Sequence, residues 1–198
     1  MAPQRAAGAR NIWQGQRVRL RAIEPEDAEA FYTWNLDSES ARFMDFVWPP
    51  QSLASVKAWA QKTSTEEVKD DQYACVIENR AGEIVGYINA HTTDRRVGSF
   101  RYGVGVRAEQ RGHGYAAEAI LLFVRYFFEE LRYQKVTATV YANNPASIHL
   151  HEKLGFQLEG RVRRVIYTQG QYFDELYYGM TCEEFAERYG RSPAIAAA

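Results

Sequence analysis

The stretch Val104-Gly-Val-Arg-Ala-Glu-Gln-Arg-Gly-His-Gly-Tyr-Ala-Ala-Glu-Ala119 constrains this chain more than any other. It reads as a strand, a glycine-rich turn and the start of a helix. Val104 and Val106 fall on one strand face by the two-residue period. Gly112 and Gly114 remove side chains where backbone must bend or come close to something. From Tyr115 onward the apolar residues shift to helical spacing. Backbone N–H groups at a helix start are unpaired and lie at the positive end of the dipole, so they form an anion site. Residues 111–116 are therefore expected to hold a phosphate group.

Bulk properties narrow the rest. A chain of 198 residues, 46% hydrophobic and 25% charged, suits one domain with a sizeable core. The net charge of −1 gives no pull toward nucleic acid or an anionic membrane. No apolar run reaches the roughly 18 residues of a membrane span, and residues 1–11 lack the apolar core of a secretory signal. Cys75 and Cys182 fit no zinc spacing and no disulfide framework, as expected of reduced thiols in a cytoplasmic protein.

In chain order, Arg17–Arg21 alternates as a strand. Glu24-Pro-Glu-Asp opens a short helix through Phe31, Tyr32 and Leu36. The segment to Pro50 reads as irregular and aromatic. Ser52 can cap a second helix through Val56 and Trp59, and Lys62–Asp71 reads as loop or helix end. Gln72–Glu78, Ile84–Thr92 and Phe100–Arg107 form an antiparallel meander. A long helix follows over 114–131, then a strand Val136–Tyr141. A helix begins at Asn143-Asn-Pro-Ala and stops at Leu154-Gly155. Gln157–Thr168 and Tyr172–Met180 close as a hairpin, and Thr181–Tyr189 is a terminal helix. The order β-α-α-β-β-β-α-β-α-β-β predicts a single mixed-sheet α/β domain over 12–189, with flexible tails at 1–11 and 190–198.

The loop at 111–116 lacks the lysine and Ser/Thr of a Walker A motif. Gly112, Gly114 and Ala117 match G-x-G-x-x-A, a weak dinucleotide fingerprint. That reading needs an acid about 20 positions on to hold a ribose. The strand Lys135–Tyr141 carries none, and a meander rather than repeated βαβ units precedes the loop. The flanks point elsewhere. Arg111-Gly-His-Gly-Tyr-Ala116 resembles the R-x-x-G-x-A pyrophosphate loop of the GNAT superfamily of N-acetyltransferases. Asn144-Pro-Ala-Ser147, followed by His-Leu-His-Glu-Lys-Leu-Gly-Phe156, resembles the second coenzyme A element of that family. The element order matches over residues 16–180. Within the superfamily the chain is most similar to the branch of ribosomal-protein alanine and spermidine/spermine N-acetyltransferases.

The resemblance implies an acetyl-CoA-dependent transferase with no metal and no covalent enzyme intermediate. Backbone N–H groups of Arg111, Gly112, His113, Gly114, Tyr115 and Ala116 would bind the pyrophosphate. The edge formed by Val104, Gly105 and Val106 would pair with the pantetheine arm, opened by a bulge beside Gly105; close packing explains that glycine equally well. A backbone N–H of the same strand would stabilise the oxyanion, with a contribution of about 3 kcal/mol. Asn144 can cap its helix and contact the pantetheine, and Ser147 can do likewise. A lysine-like amine has a pKa near 10.4, so only about one in a thousand is neutral near pH 7.4, and a base must take the proton. The sequence singles out none, because Arg101 and Tyr102 stand where relatives often carry glutamate. The place of a tyrosine that many relatives use to protonate the leaving thiolate is taken by His151. That residue can donate a proton or pack as a polar residue on the helix face.

Between Glu24 and Asp45 seven acids face one base, Arg42, with aromatics interleaved. Such a lining suits a cationic amine. The first acids suit a helix N-terminus, so Asp37, Glu39 and Asp45 stand out as substrate contacts. The expected acceptors, in falling order, are a small polyamine or diamine, a protein N-terminus and an amine-bearing drug; neither nucleic acid nor membrane is expected, and Gln169–Asp174 is expected to border either the acceptor site or a homodimer contact. A non-catalytic acyl-CoA sensor is the alternative.

Overall fold

Residues 11–44 and 46–190 are described by the computed structural model. Asp45 and the expected tails over 1–10 and 191–198 lie outside the described residues. The two tail residues that are described both touch the domain. The Asn11 side chain accepts from the Trp13 N–H, and the Gly190 carbonyl accepts from Arg125.

Alternation and capping produce the elements in order. β1 (Val18–Arg21) leads to a 3₁₀ turn at Pro25–Asp27, then to α1 (Ala28–Trp34), α2 (Ser38–Met44) and α3 (Leu53–Thr65). β2 (Ala74–Asn79), β3 (Ile84–Asp94) and β4 (Ser99–Val106) make the meander. α4 (Tyr115–Glu129), β5 (Lys135–Tyr141), α5 (Pro145–Lys153), β6 (Gln157–Thr168), β7 (Gln171–Thr181) and α6 (Cys182–Tyr189) complete the chain. The sheet has seven strands in the order β1-β2-β3-β4-β5-β7-β6, antiparallel except where β4 meets β5. This is the mixed α/β sheet expected, with the expected terminal helix as α6 and the order extended by α2.

The segment before Pro50 corrects the sequence reading. Ser38–Met44 is helical because Asp37 caps it, its Oδ1 accepting from the Glu39 and Ser40 N–H groups at 3.1 Å each. None of its described side chains is fully buried, so it lacks the apolar stripe by which helices are recognised.

Two apolar layers sandwich the sheet. On one face Ile120, Phe123, Val124 and Phe127 of α4, at helical i, i+3, i+4 and i+7 spacing, meet Phe100, Val136 and Tyr178. On the other, Phe31 of α1 and Val56 and Ala60 of α3 cover Val76 and Tyr87. Along β4, Phe100, Tyr102 and Val104 face the first layer. Arg101, Gly103 and Gly105 face the second, and Gly105 lies opposite Tyr87 in the ladder.

Candidate active site

β4 and β5 pair over three residues only, Ser99↔Lys135, Phe100↔Val136 and Arg101↔Thr137. Beyond that point β4 runs on to Val106 and β5 to Tyr141 without a ladder between them. On its other side β4 stays in unbroken register with β3, from Arg101↔His91 to Val106↔Gly86. The expected bulge beside Gly105 is therefore absent. A slot opens instead because two parallel strands part, leaving the Tyr102–Val106 backbone as a strand edge inside the sheet, the kind of edge an extended ligand can join.

The glycine loop lies at the end of this edge. Gly112 and Gly114 have φ of +81° and +80°, a region that side-chain-bearing residues seldom adopt. Gly114 caps the start of α4. His113 and Tyr115 stack, with ring centroids 5.4 Å apart. Arg111 donates to the Ser40 hydroxyl of α2 at 3.0 Å. A brace that sequence reasoning missed holds the loop from below. The Glu118 carboxylate, in the first turn of α4, accepts the N–H groups of Gln16, Arg17 and Val18 at 2.8, 2.6 and 2.7 Å. A Cβ on Gly15 would stand 2.5 Å from that carboxylate carbon. Arg17 in turn donates to the His113 carbonyl at 3.1 Å.

α2 roofs the slot. A Cβ at Gly105 would collide with the Met44 sulfur, so this glycine serves close packing. Asn144 uses both ends of its amide: Oδ1 accepts from the Ser147 N–H at 3.0 Å, capping α5, and Nδ2 donates to the Phe43 carbonyl at 3.0 Å. The loop, β4 and α5 therefore each touch α2. The same helix accounts for two of the acids singled out as substrate contacts. Asp37 is its cap, with a carboxyl held below the ordinary range by the hydrogen bonds from Ser40, and Glu39 sits in its first turn. Asp45 lies outside the described residues.

His151 lies beneath the slot rather than on its wall, only 2% exposed. Its Nδ1 stands 2.7 Å from the Ser147 carbonyl, which can only accept, so Nδ1 carries the proton. Nε2 then accepts from the Tyr102 hydroxyl at 2.8 Å. Burial pushes the imidazole pKa below its usual value. Direct proton donation meets an obstacle here, because a neutral ring with this tautomer has no proton on its Tyr102 side. In this state the ring orients the Tyr102 hydroxyl.

On the opposite sheet face, level with the slot, the Arg101 guanidinium lies 5.3 Å from the Tyr177 ring centroid. The Tyr177 hydroxyl donates to Glu175 Oε2 at 2.7 Å. No group of three or more His, Cys, Asp or Glu side chains among the described residues is arranged to hold a metal.

Residues 17–157 match the family model described as the acetyltransferase (GNAT) domain. The chain belongs to the GNAT acetyltransferase family. Among its relatives is an SPbeta prophage-derived uncharacterized N-acetyltransferase of Bacillus subtilis, 42% identical and covering 90% of this chain and 97% of the relative. A putative ribosomal N-acetyltransferase of the same organism is 26% identical, covering 86% of this chain and 94% of its own length. The fold is shared with a solved spermidine N-acetyltransferase of Vibrio cholerae in complex with CoA and spermine. Its TM-score is 0.75 at 20% identity, covering 86% of this chain and 99% of that one. This GNAT chain is thus an N-acetyltransferase, and its family uses acetyl-CoA as donor. Family membership favours acetyl transfer over the sensor alternative.

Proposed function

We propose that this acetyltransferase holds acetyl-CoA in the slot between β4 and β5 and transfers its acetyl group directly to a primary amine of a polyamine or diamine. The parting of β4 from β5, next to a glycine loop at the start of α4, carries the reading. In it the pantetheine arm pairs with Val104–Val106, and the N–H groups of Arg111–Ala116 meet the pyrophosphate. Asn144 and Ser147 border the arm from the start of α5. An N–H of the freed β4 edge stabilises the oxyanion in a site where water is scarce. The solved Vibrio cholerae protein with spermine supports a polyamine acceptor. So does the acidic, aromatic surface around α2, where Glu39 is exposed and Phe46 and Trp48 form an edge-to-face pair.

Incubation with acetyl-CoA and a panel of polyamines, diamines and N-terminal peptides, followed by free thiol, tests the acceptor. The expected order is polyamine and diamine ahead of peptide, and a peptide preference overturns it. Gly114→Glu sets a left-handed backbone against a side chain and a negative charge against the pyrophosphate. Loss of coenzyme affinity by at least about tenfold is expected, and unchanged affinity would remove the loop from the site.

A further inference from the structure

The slot needs a base for the amine, and the β4 sequence offers no carboxylate there. We propose that Glu175 takes the proton from the incoming amine, with Tyr177 orienting its carboxylate. This rests on the acetyl-transfer reading above and names the residue that reading lacks.

The register places it. Arg101 is level with Thr137, so Gly105, four residues on, is level with Tyr141. Tyr141 pairs with Glu175, and Thr139 with Tyr177. Leu176 and Tyr178 point into the α4 core. Glu175 and Tyr177 therefore point to the other face, the one that bears Gly103, Gly105 and Met44. On the near side Asn89 packs over Gly103 and Met44 over Gly105. On the far side the gap is walled by β5, and Glu175 stands one strand behind it on β7, beside Tyr141.

Three other carboxylates around the sheet are committed to cations or amides, and Glu152, which accepts from the Tyr178 hydroxyl, belongs to the α4 side. Glu78 is held by Arg19 and Arg21, Asp174 by Arg161, and Glu118 by three backbone N–H groups. Glu175 instead accepts from a neutral hydroxyl. That hydrogen bond is also the leading cause that raises the Tyr177 pKa, so the phenol stays protonated and donating throughout the working range. Arg101, held over the Tyr177 ring, adds a positive charge that favours a neutral amine over an ammonium.

The step balances as follows. The Glu175 carboxylate takes one proton from the ammonium. The freed lone pair forms the C–N bond at the thioester carbonyl. Collapse of the tetrahedral intermediate breaks the C–S bond, the nitrogen loses a second proton and the thiolate gains one. The net change is ammonium plus thioester to amide, thiol and one proton released to water.

The test is kcat/KM against pH for wild type, Glu175→Gln, Glu175→Asp and Tyr177→Phe, with the best amine of the panel and coenzyme affinity measured alongside. Glu175→Gln is expected to lose about a hundredfold near pH 7. Its deficit should narrow as pH approaches the pKa of the amine, because bulk solvent then supplies the neutral form. Coenzyme affinity is expected to stay at the wild-type level, Glu175→Asp to recover part of the rate, and Tyr177→Phe to lose less than Glu175→Gln. A Gln variant within about threefold of an active wild type, or one with an equal deficit at every pH, overturns the base assignment alone. A wild type that binds acetyl-CoA yet acetylates no amine overturns the acetyl-transfer reading and this assignment with it.

Discussion

A methyl group at position 105 would run into the Met44 sulfur and stand 3.0 Å from Tyr87 Cε1. Either α2 lifts or the slot narrows. Overpacking of this kind costs about 1–3 kcal/mol. Gly105→Ala is expected to lower the thermal midpoint and to raise KM for the amine more than KM for acetyl-CoA; equal change in both would place Met44 away from the acceptor path. His151 carries a second residue-scale expectation. Its folded pKa lies below the unfolded value near 6.5. As pH falls below about 6.5 the unfolded chain takes up a proton that the native ring resists, so native stability falls. Above that range the contribution is fully present. Urea midpoints should therefore drop for wild type between pH 7 and about 5, above the carboxylate range. His91, also depressed by burial, adds a loss common to both proteins. His151→Gln should flatten the slope, and identical slopes would show that His151 does not titrate with folding.

At the scale of elements, α4 was legible because Ile120, Phe123, Val124 and Phe127 repeat at helical spacing. The glycine loop was legible because two glycines interrupt a strand-to-helix change. α2 was not, since it buries no stripe; its only local signal is the Asp37 cap, and that acid reads equally well as a ligand. The parting of β4 and β5 was also invisible, because a single strand's sequence does not say where its pairing ends. Least legible was the brace under the loop, whose partners lie about a hundred residues apart, Glu118 and the backbone of Gln16–Val18. Glu118→Ala would leave three donors to water or to nothing, at a cost of about 2 kcal/mol. Coenzyme affinity should fall with stability, as β1 and Arg17 no longer steady the loop. Intact affinity at reduced stability would make the brace purely structural.

At the scale of the whole molecule, β6 is the edge of the sheet and is paired on one side only. Leu158, Val162, Val165 and Tyr167 are 47–59% exposed along it, an apolar edge of the kind that invites pairing. Of the basic residues on it, the Arg161 guanidinium bonds Asp174 and the Arg164 guanidinium lies over the Tyr172 ring. A second copy of the chain meeting β6 would cover the apolar row. Light scattering at micromolar concentration should give twice the monomer mass, and Val165→Lys should halve it; a monomeric wild type would sink the idea.

The gap between β4 and β5 passes through the sheet, and so it has two mouths. One opens between the starts of α4 and α5, beside the glycine loop. The other opens beneath Met44, toward Arg101, Tyr177 and Glu175. Under the proposed function, donor and acceptor would enter by separate doorways and meet midway, so that neither has to leave before the other arrives. The kinetic counterpart is a ternary complex, with double-reciprocal plots that intersect instead of running parallel.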